Sequence, residues 1–176
     1  MVEVNPKEVK NTNSGRGSRA FLRIRSSSSV LGRALLPSES KILDDPNEHF
    51  DYFYKFIIIG DELVGKSNFL LRILGKKFEK KPKTTYGVEF TFKTVPLSNS
   101  NQRVRAQLWD TSGAKQFLSI TTTHYRFAVG AFLIYDVTNL KSFENLKGWV
   151  DKIREYSDEN VKIALIANKK DLVENS

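Results

Sequence analysis

The chain has 176 residues, 40% of them apolar and 11% aromatic, enough for one folded domain with an adjoining segment. It contains no cysteine, which excludes a disulfide scaffold, a thiolate metal site, a thiol nucleophile and a Cys-linked lipid on these residues, and no apolar run approaches the ~20 residues of a membrane helix. The net charge of +8 is uneven, with eight Lys/Arg against three acids in residues 1–41 and twenty against seventeen beyond; no RNP-type aromatic motif, zinc ligand set or recognition helix accompanies it, so the basicity does not point to nucleic acid.

Residues 1–49 read as a basic, Ser/Arg-rich, disordered tail. They contain "NTNSGRGS" and "SSSS", and five Arg with no acid between Asn11 and Ser38. Within the tail, "VLGRALL" could form a helical turn or two on a membrane surface or a partner, and "RIRSSSS" offers serines to a basic-directed kinase. Glu3 and Glu8 argue against an organelle transit peptide.

The folded domain is expected over residues 50–176, with its first element near Asp51. "YKFIII" is a β-branched and aromatic run of the kind buried on both faces of a sheet. Lys66–Leu74 reads as a helix with Phe69, Leu70 and Ile73 on one face, ended by Gly75. "GKKFEKKPKTT" is a charged loop. "VEFTFKTV" alternates, with Val88, Phe90 and Phe92 opposite Glu89, Thr91 and Lys93, and "VRAQLWD" returns beside it as an antiparallel hairpin. "AVGAFLIYDV" and "VKIALIAN" are two further buried strands. Between them, "SFENLKGWVDKIREY" predicts one amphipathic helix with Phe143, Leu146, Trp149, Val150 and Ile153 on its core face and Ser142 as N-cap. Strands alternating with helices predict an α/β fold, a mostly parallel sheet with one antiparallel hairpin.

"GDELVGKS", Gly60–Ser67, matches G-x-x-x-x-G-K-[ST] and lies between a strand and a helix, the context this phosphate-binding pattern requires. Backbone N–H groups of the loop and the helix N-terminus converge on an anion. Lys66 adds positive charge for β and γ phosphates, and the Ser67 hydroxyl suits Mg²⁺. Gly60 and Gly65 allow a backbone that a Cβ would obstruct. Asp110 ends a strand beside this loop and is placed to hold a Mg²⁺-bound water. The Thr85 hydroxyl could complete the metal shell, and the Gly113 N–H could meet a γ-phosphate. "NKKD", Asn168–Asp171, ends the last strand, where α/β sheets bind ligands. Asp171 can accept from N1–H and the amino group of guanine, a donor pair that adenine lacks. Asn168 can bridge base and loop, and the Lys169 stem can lie over the ring. The ligand expected is therefore GTP or GDP with Mg²⁺.

This set of residues resembles the Rab family of Ras-like small GTPases over Tyr54–Asp171. "TTYGVEF", "AQLWDTSG", "HYRFAVGAFLIYDVTN" and "SFENLKGWV" carry the likeness, and "GKSNFLLR" is similar to the subgroup linked to recycling endosomes. The resemblance implies the P-loop small-GTPase fold. It implies nucleotide contacts from Leu63, Val64, Gly65, Lys66, Ser67, Asn68, Thr85, Gly113, Asn168, Lys169 and Asp171, and metal contacts from Ser67, Thr85 and Asp110. It further implies effectors that read two switch segments around Thr85 and Gly113, a TBC-type activating protein, an exchange factor, and a location in the cytoplasm or on an endomembrane surface. Trp109 and Phe117 belong to an aromatic surface used by effectors or to core, Trp149 to core, and His124 is a structural or surface histidine.

Four departures from the family shape the expected function. Ala114 stands where the family has its water-orienting Gln, and Gln116, two residues on, is a poor substitute, so no catalytic residue is assigned. Glu62 and Leu63 replace small loop residues; the carboxylate would repel a γ-phosphate and the bulk obstruct an incoming catalytic finger. The family's S-A-K loop, last strand and C-terminal helices do not follow "NKKD", and no C-terminal Cys pair for prenylation is present. An incomplete, marginally stable domain is expected, from a truncated or mispredicted product. The function expected is a guanine-nucleotide-binding switch of vesicle and membrane traffic with weak or absent intrinsic hydrolysis. The alternatives are a competent GTPase that depends on a partner, since TBC-type proteins can bring both an Arg and a Gln, and a non-enzymatic truncated interaction protein.

Overall fold

The computed structural model describes residues 48–80 and 84–173, together with an antiparallel pairing of two short strands, β1 (Glu3–Val4) and β2 (Leu22–Arg23). The segment Val30–Leu36 and the serines after Arg25, expected as a surface helix and as kinase sites, lie outside the described residues.

Five strands form the main sheet in the order β4-β5-β3-β6-β7. These are β3 (Tyr52–Ile59), β4 (Val88–Pro96), β5 (Arg103–Thr111), β6 (Ala128–Asp136) and β7 (Lys162–Asn168). β3 pairs in parallel with β5 and β6, and β6 with β7; β4 and β5 form the antiparallel hairpin. The predicted α/β architecture is the one found. The end of β3 shows why. Ile57 and Ile59 point into one hydrophobic cluster with Leu133, Trp149 and Ile153, while Ile58 points into another with Leu70, Ile73, Phe132 and Ile134. A strand whose alternate residues enter cores on both faces has to be apolar throughout.

Helix α1 (Lys66–Ile73) covers the second cluster, ending where Gly75 takes a φ of 71°. Beyond β5, a 3₁₀ turn at Lys115–Phe117 leads into the short α2 (Leu118–Thr122). The single helix predicted after β6 is two, α3 (Leu140–Glu144) and α4 (Leu146–Tyr156), separated at Asn145. Asn139, not Ser142, caps the first, accepting from the backbone N–H groups of Lys141 and Ser142. Ser142 is buried, and its hydroxyl donates toward Asn139 O at 2.7 Å and accepts from Asp136 N at 3.1 Å. Phe143 faces largely outward against Tyr135, and Trp149 and Ile153 supply the core face. A short α5 (Lys170–Val173) follows β7.

Register aligns the carboxyl ends of the parallel strands. Ile58 lies opposite Asp110, and Asp136 opposite Asn168. The motif residues therefore come together at one rim of the sheet. At the other end the chain enters β3 through Glu48, ion-paired with Arg103, and Phe50, whose ring lies 4.6 Å from the Arg105 guanidinium.

Candidate functional site

The loop after β3 wraps around the Lys66 ammonium. Its Nζ donates to Gly60 O at 3.0 Å and Asp61 O at 2.7 Å. Burial pushes Lys66 down to about 8, against the opposing pull of Asp110, Asp61 and Glu62. An anion placed here would restore the favour of the charged form. Val64 is buried in the cluster under α1 and anchors the loop. Gly65 takes a φ of 96°, and a Cβ on it would lie 2.4 Å from Asn168 Nδ2, so the position needs glycine twice over. No side chain caps α1, which leaves its first amides directed at the loop. The Asn68 side chain is engaged with the backbone of Glu79, donating to its carbonyl and accepting from its N–H. Glu62 is exposed, and Leu63 is 79% exposed in a left-handed conformation, φ 61°.

Three segments distant in sequence bring oxygen atoms together beside Lys66. Ser67 Oγ donates to Asp110 Oδ2 at 2.5 Å and lies 3.0 Å from Thr85 Oγ1. The second carboxylate oxygen, Asp110 Oδ1, is buried with no hydrogen-bond partner. Burial raises the Asp110 carboxyl above its ordinary value, although Ser67 and Lys66 pull it down. A buried carboxylate oxygen without a donor is costly, and a cation or its bound water would satisfy it. Two hydroxyls and a carboxylate are the hard oxygen donors magnesium takes, with phosphate and water completing its shell. Among the described residues no cluster of three or more His, Cys, Asp or Glu side chains offers another metal site.

Gly113 sits against the phosphate loop, where a Cβ would lie 2.4 Å from the Asp61 carbonyl carbon. Only glycine permits this approach of the segment after β5 to the loop. Ala114 is buried, its N–H donating to Ser112 Oγ at 3.3 Å, and its methyl offers no polar group. Gln116 is exposed in the 3₁₀ turn.

At the neighbouring strand ends, Asn168 Nδ2 donates to Val64 O at 2.7 Å, tying the β7 rim to the phosphate loop. Lys169 holds a φ of 62°, and its ammonium lies 2.7 Å from Asp136 Oδ2. Burial alone would raise the Asp136 carboxyl, but Lys169 and the Thr138 donors outweigh it and hold it below its ordinary value. Asp171 is exposed in the first turn of α5. The sequence reading did not single out Asp136; an acid ending a strand, as Asp110 does, was the available signal. It also missed Asp61, whose carboxylate accepts from Asn145 Nδ2 and from Trp149 Nε1, each at 2.7 Å. No local pattern announces a bond spanning more than eighty residues.

Aromatic residues pack together on the segments next to these groups. Trp109 stacks on Phe90 and on His124, with centroids 4.8 and 4.9 Å apart, and Lys55 Nζ lies 4.4 Å from its ring centre. Phe117 meets the exposed Tyr86 edge-on.

The Ras family description matches residues 55–176. Among similar curated proteins, GTP-binding protein ypt3 of Schizosaccharomyces pombe is 42% identical over 126 residues, covering 72% of this chain and 58% of its own. Ras-related protein RABA2a of Arabidopsis thaliana is 44% identical over 127 residues, with the same coverage of 72% and 58%. Ras-related protein Rab11D of Lotus japonicus is 44% identical over 126 residues, covering 72% and 57%. The chain thus spans somewhat more than half the length of these relatives. With the family description matching more than half of the chain, and with Rab and Ypt proteins as relatives, the chain belongs to the Ras family, within its Rab branch of small GTPases.

Proposed function

We propose that this protein is a guanine-nucleotide-binding switch of vesicle and membrane traffic that binds GTP and GDP with Mg²⁺ and hydrolyses GTP slowly. The observation that carries the reading is the meeting of Ser67, Thr85 and Asp110 beside the Lys66 ammonium, with one buried Asp110 oxygen unsatisfied. Lys66 and the loop amides would bind the β and γ phosphates. Ser67, Thr85 and Asp110 would hold the metal, which supplies charge neutralisation at those phosphates. Asn168, Lys169 and Asp171 would select guanine, with Asn168 fixed by its bond to the loop.

Slow hydrolysis follows from what lies between these groups. Phosphoryl transfer depends on positioning and charge stabilisation. Ala114 cannot orient a water, and the Glu62 carboxylate adds negative charge to a loop meant for phosphate. Neither change removes the binding groups. Effectors would read the segments around Thr85 and Gly113, and a TBC-type activator and an exchange factor would set the balance of states. The cytoplasm or an endomembrane surface is the corresponding place of action; no helix among the described residues is long and apolar enough to cross a membrane.

Nucleotide selection tests the reading. GDP should bind far more tightly than ADP, and mass spectrometry should find guanine nucleotide on the purified chain. Asp171→Asn should shift preference toward xanthosine nucleotides, because the amide offers a donor to the carbonyl that replaces the guanine amino group. Equal affinity for ADP and GDP in the parent chain would overturn it.

A further inference from the structure

We propose that Asn145 and Trp149 are positioning residues for the nucleotide loop: from the entrance to α4 and one turn further on they clamp the Asp61 carboxylate and keep its charge out of the phosphate cradle. The proposal rests on the reading that Gly60–Ser67 binds a nucleotide's phosphates. Asp61 belongs to that loop, and its main-chain oxygen accepts from Lys66 Nζ at 2.7 Å. Its side chain is held elsewhere. Oδ2 accepts from Asn145 Nδ2 and Oδ1 from Trp149 Nε1, each at 2.7 Å. Both carboxylate oxygens are thus occupied, by Asn145 at the entrance to α4 and by Trp149 one turn further on, in charge-assisted bonds of the stronger kind.

The break between α3 and α4 makes this geometry available. Asn145 is the residue between α3 and α4, and its side chain caps neither helix, so the amide is available to Asp61. Trp149 follows one turn later on the same side of the helix. Its ring is packed with Ile57, Ile59 and Ile153, which fixes the direction of the indole N–H. The loop backbone is therefore tied to the core through the Asp61 side chain. Gly113 leans on the same peptide of the loop, so a displacement of Asp61 would disturb both walls of the cradle. Freed from its donors, the Asp61 carboxylate would join Glu62 as a second negative charge in a loop built to receive phosphate.

The test is the rate of GDP release from the full chain at fixed Mg²⁺, followed with a fluorescent GDP. Trp149→Phe keeps an aromatic, though smaller, side chain in the core and removes the donor. Asn145→Ala removes the other donor without touching the core, so the test does not depend on one variant folding. Each should release GDP about tenfold faster, the scale of one lost charge-assisted bond. With Asp61→Ala already present, either substitution should change the rate less than about twofold, because no carboxylate remains to be held. Parental release rates in both single variants overturn the clamp. Equal acceleration in the Asp61→Ala background overturns it also, since the effect would then be general loosening. A parent chain that retains no guanine nucleotide overturns the nucleotide reading first, and this proposal with it.

Discussion

Leu63 in the phosphate loop and Ala114 in the segment after β5 both depart from what their positions favour. Leu63 holds a left-handed backbone, at a cost of roughly 1–2 kcal/mol for an L-residue, and its exposed side chain recovers little by burial. Leu63→Gly should therefore raise stability by up to about 1 kcal/mol, after the greater freedom of glycine in the unfolded chain is subtracted. Chemical denaturation at matched nucleotide measures it, and a loss of stability would mean that the leucine side chain is held by contacts. Ala114 bears on chemistry. If water positioning is what the site lacks, Ala114→Gln should raise single-turnover GTP hydrolysis, and Glu62→Gly should raise it further. A parent that already turns over as fast as Ala114→Gln would show that another group, Gln116 first, orients the water. At this scale the candidate site is most legible where its pattern has a short, fixed spacing. Lys66 and Ser67 follow from the loop pattern, and Asp110 from the end of its strand. The Asp61 contact with Trp149 depends on how two distant elements pack, which no spacing encodes.

Elements were legible by period and less so by boundary. The apolar pattern through Phe143–Ile153 has helical spacing, but spacing does not record where backbone hydrogen bonding stops. Asn139 and Ser142 are both good capping types, and only the folded chain distinguishes them. Asn139→Ala should cost about 1 kcal/mol, the value of a cap. Ser142→Ala should cost more, up to about 3 kcal/mol, because it leaves the buried Asp136 N–H without the side-chain acceptor it now has. Reversal of that order in urea unfolding would restore Ser142 as the cap. In β4 the alternation of Phe90 and Phe92 was read correctly, yet alternation does not tell which face meets solvent. Phe90 is 52% exposed and completes a stack with Trp109 and His124. Burial, and then the Lys55 charge, lower the His124 pKa below its ordinary 6.5. The folded state then binds fewer protons than the unfolded state between the lowered value and 6.5, so stability rises with pH across that window and is flat above it. His124→Phe should remove this component from the pH profile of unfolding, and an unchanged profile would assign it to other groups.

At the scale of the whole molecule, the core was legible because a central parallel strand must be apolar on both faces, as Ile57–Ile59 are. The state of the sheet's edges was not, because an edge residue and an inner one have the same local pattern. β7 is an outer strand, and among the described residues no further strand pairs with it. Ile163 and Leu165 are 39% and 55% exposed on it, with Leu172 and Val173 exposed just beyond. An outer strand carrying exposed apolar side chains offers a surface on which another chain can pack. Burial of this surface gains about 25 cal/mol per Å², so a few hundred Å² would supply several kcal/mol toward association. The 176-residue polypeptide should therefore self-associate as its concentration rises, in sedimentation velocity with GDP and Mg²⁺ present. Leu165→Lys should shift it toward monomer, because a charge on an edge strand opposes pairing while the exposed leucine contributes little to the fold. A parent that stays monomeric across the same concentrations, with Leu165 protected from solvent labelling, would mean that this face is already covered within the chain.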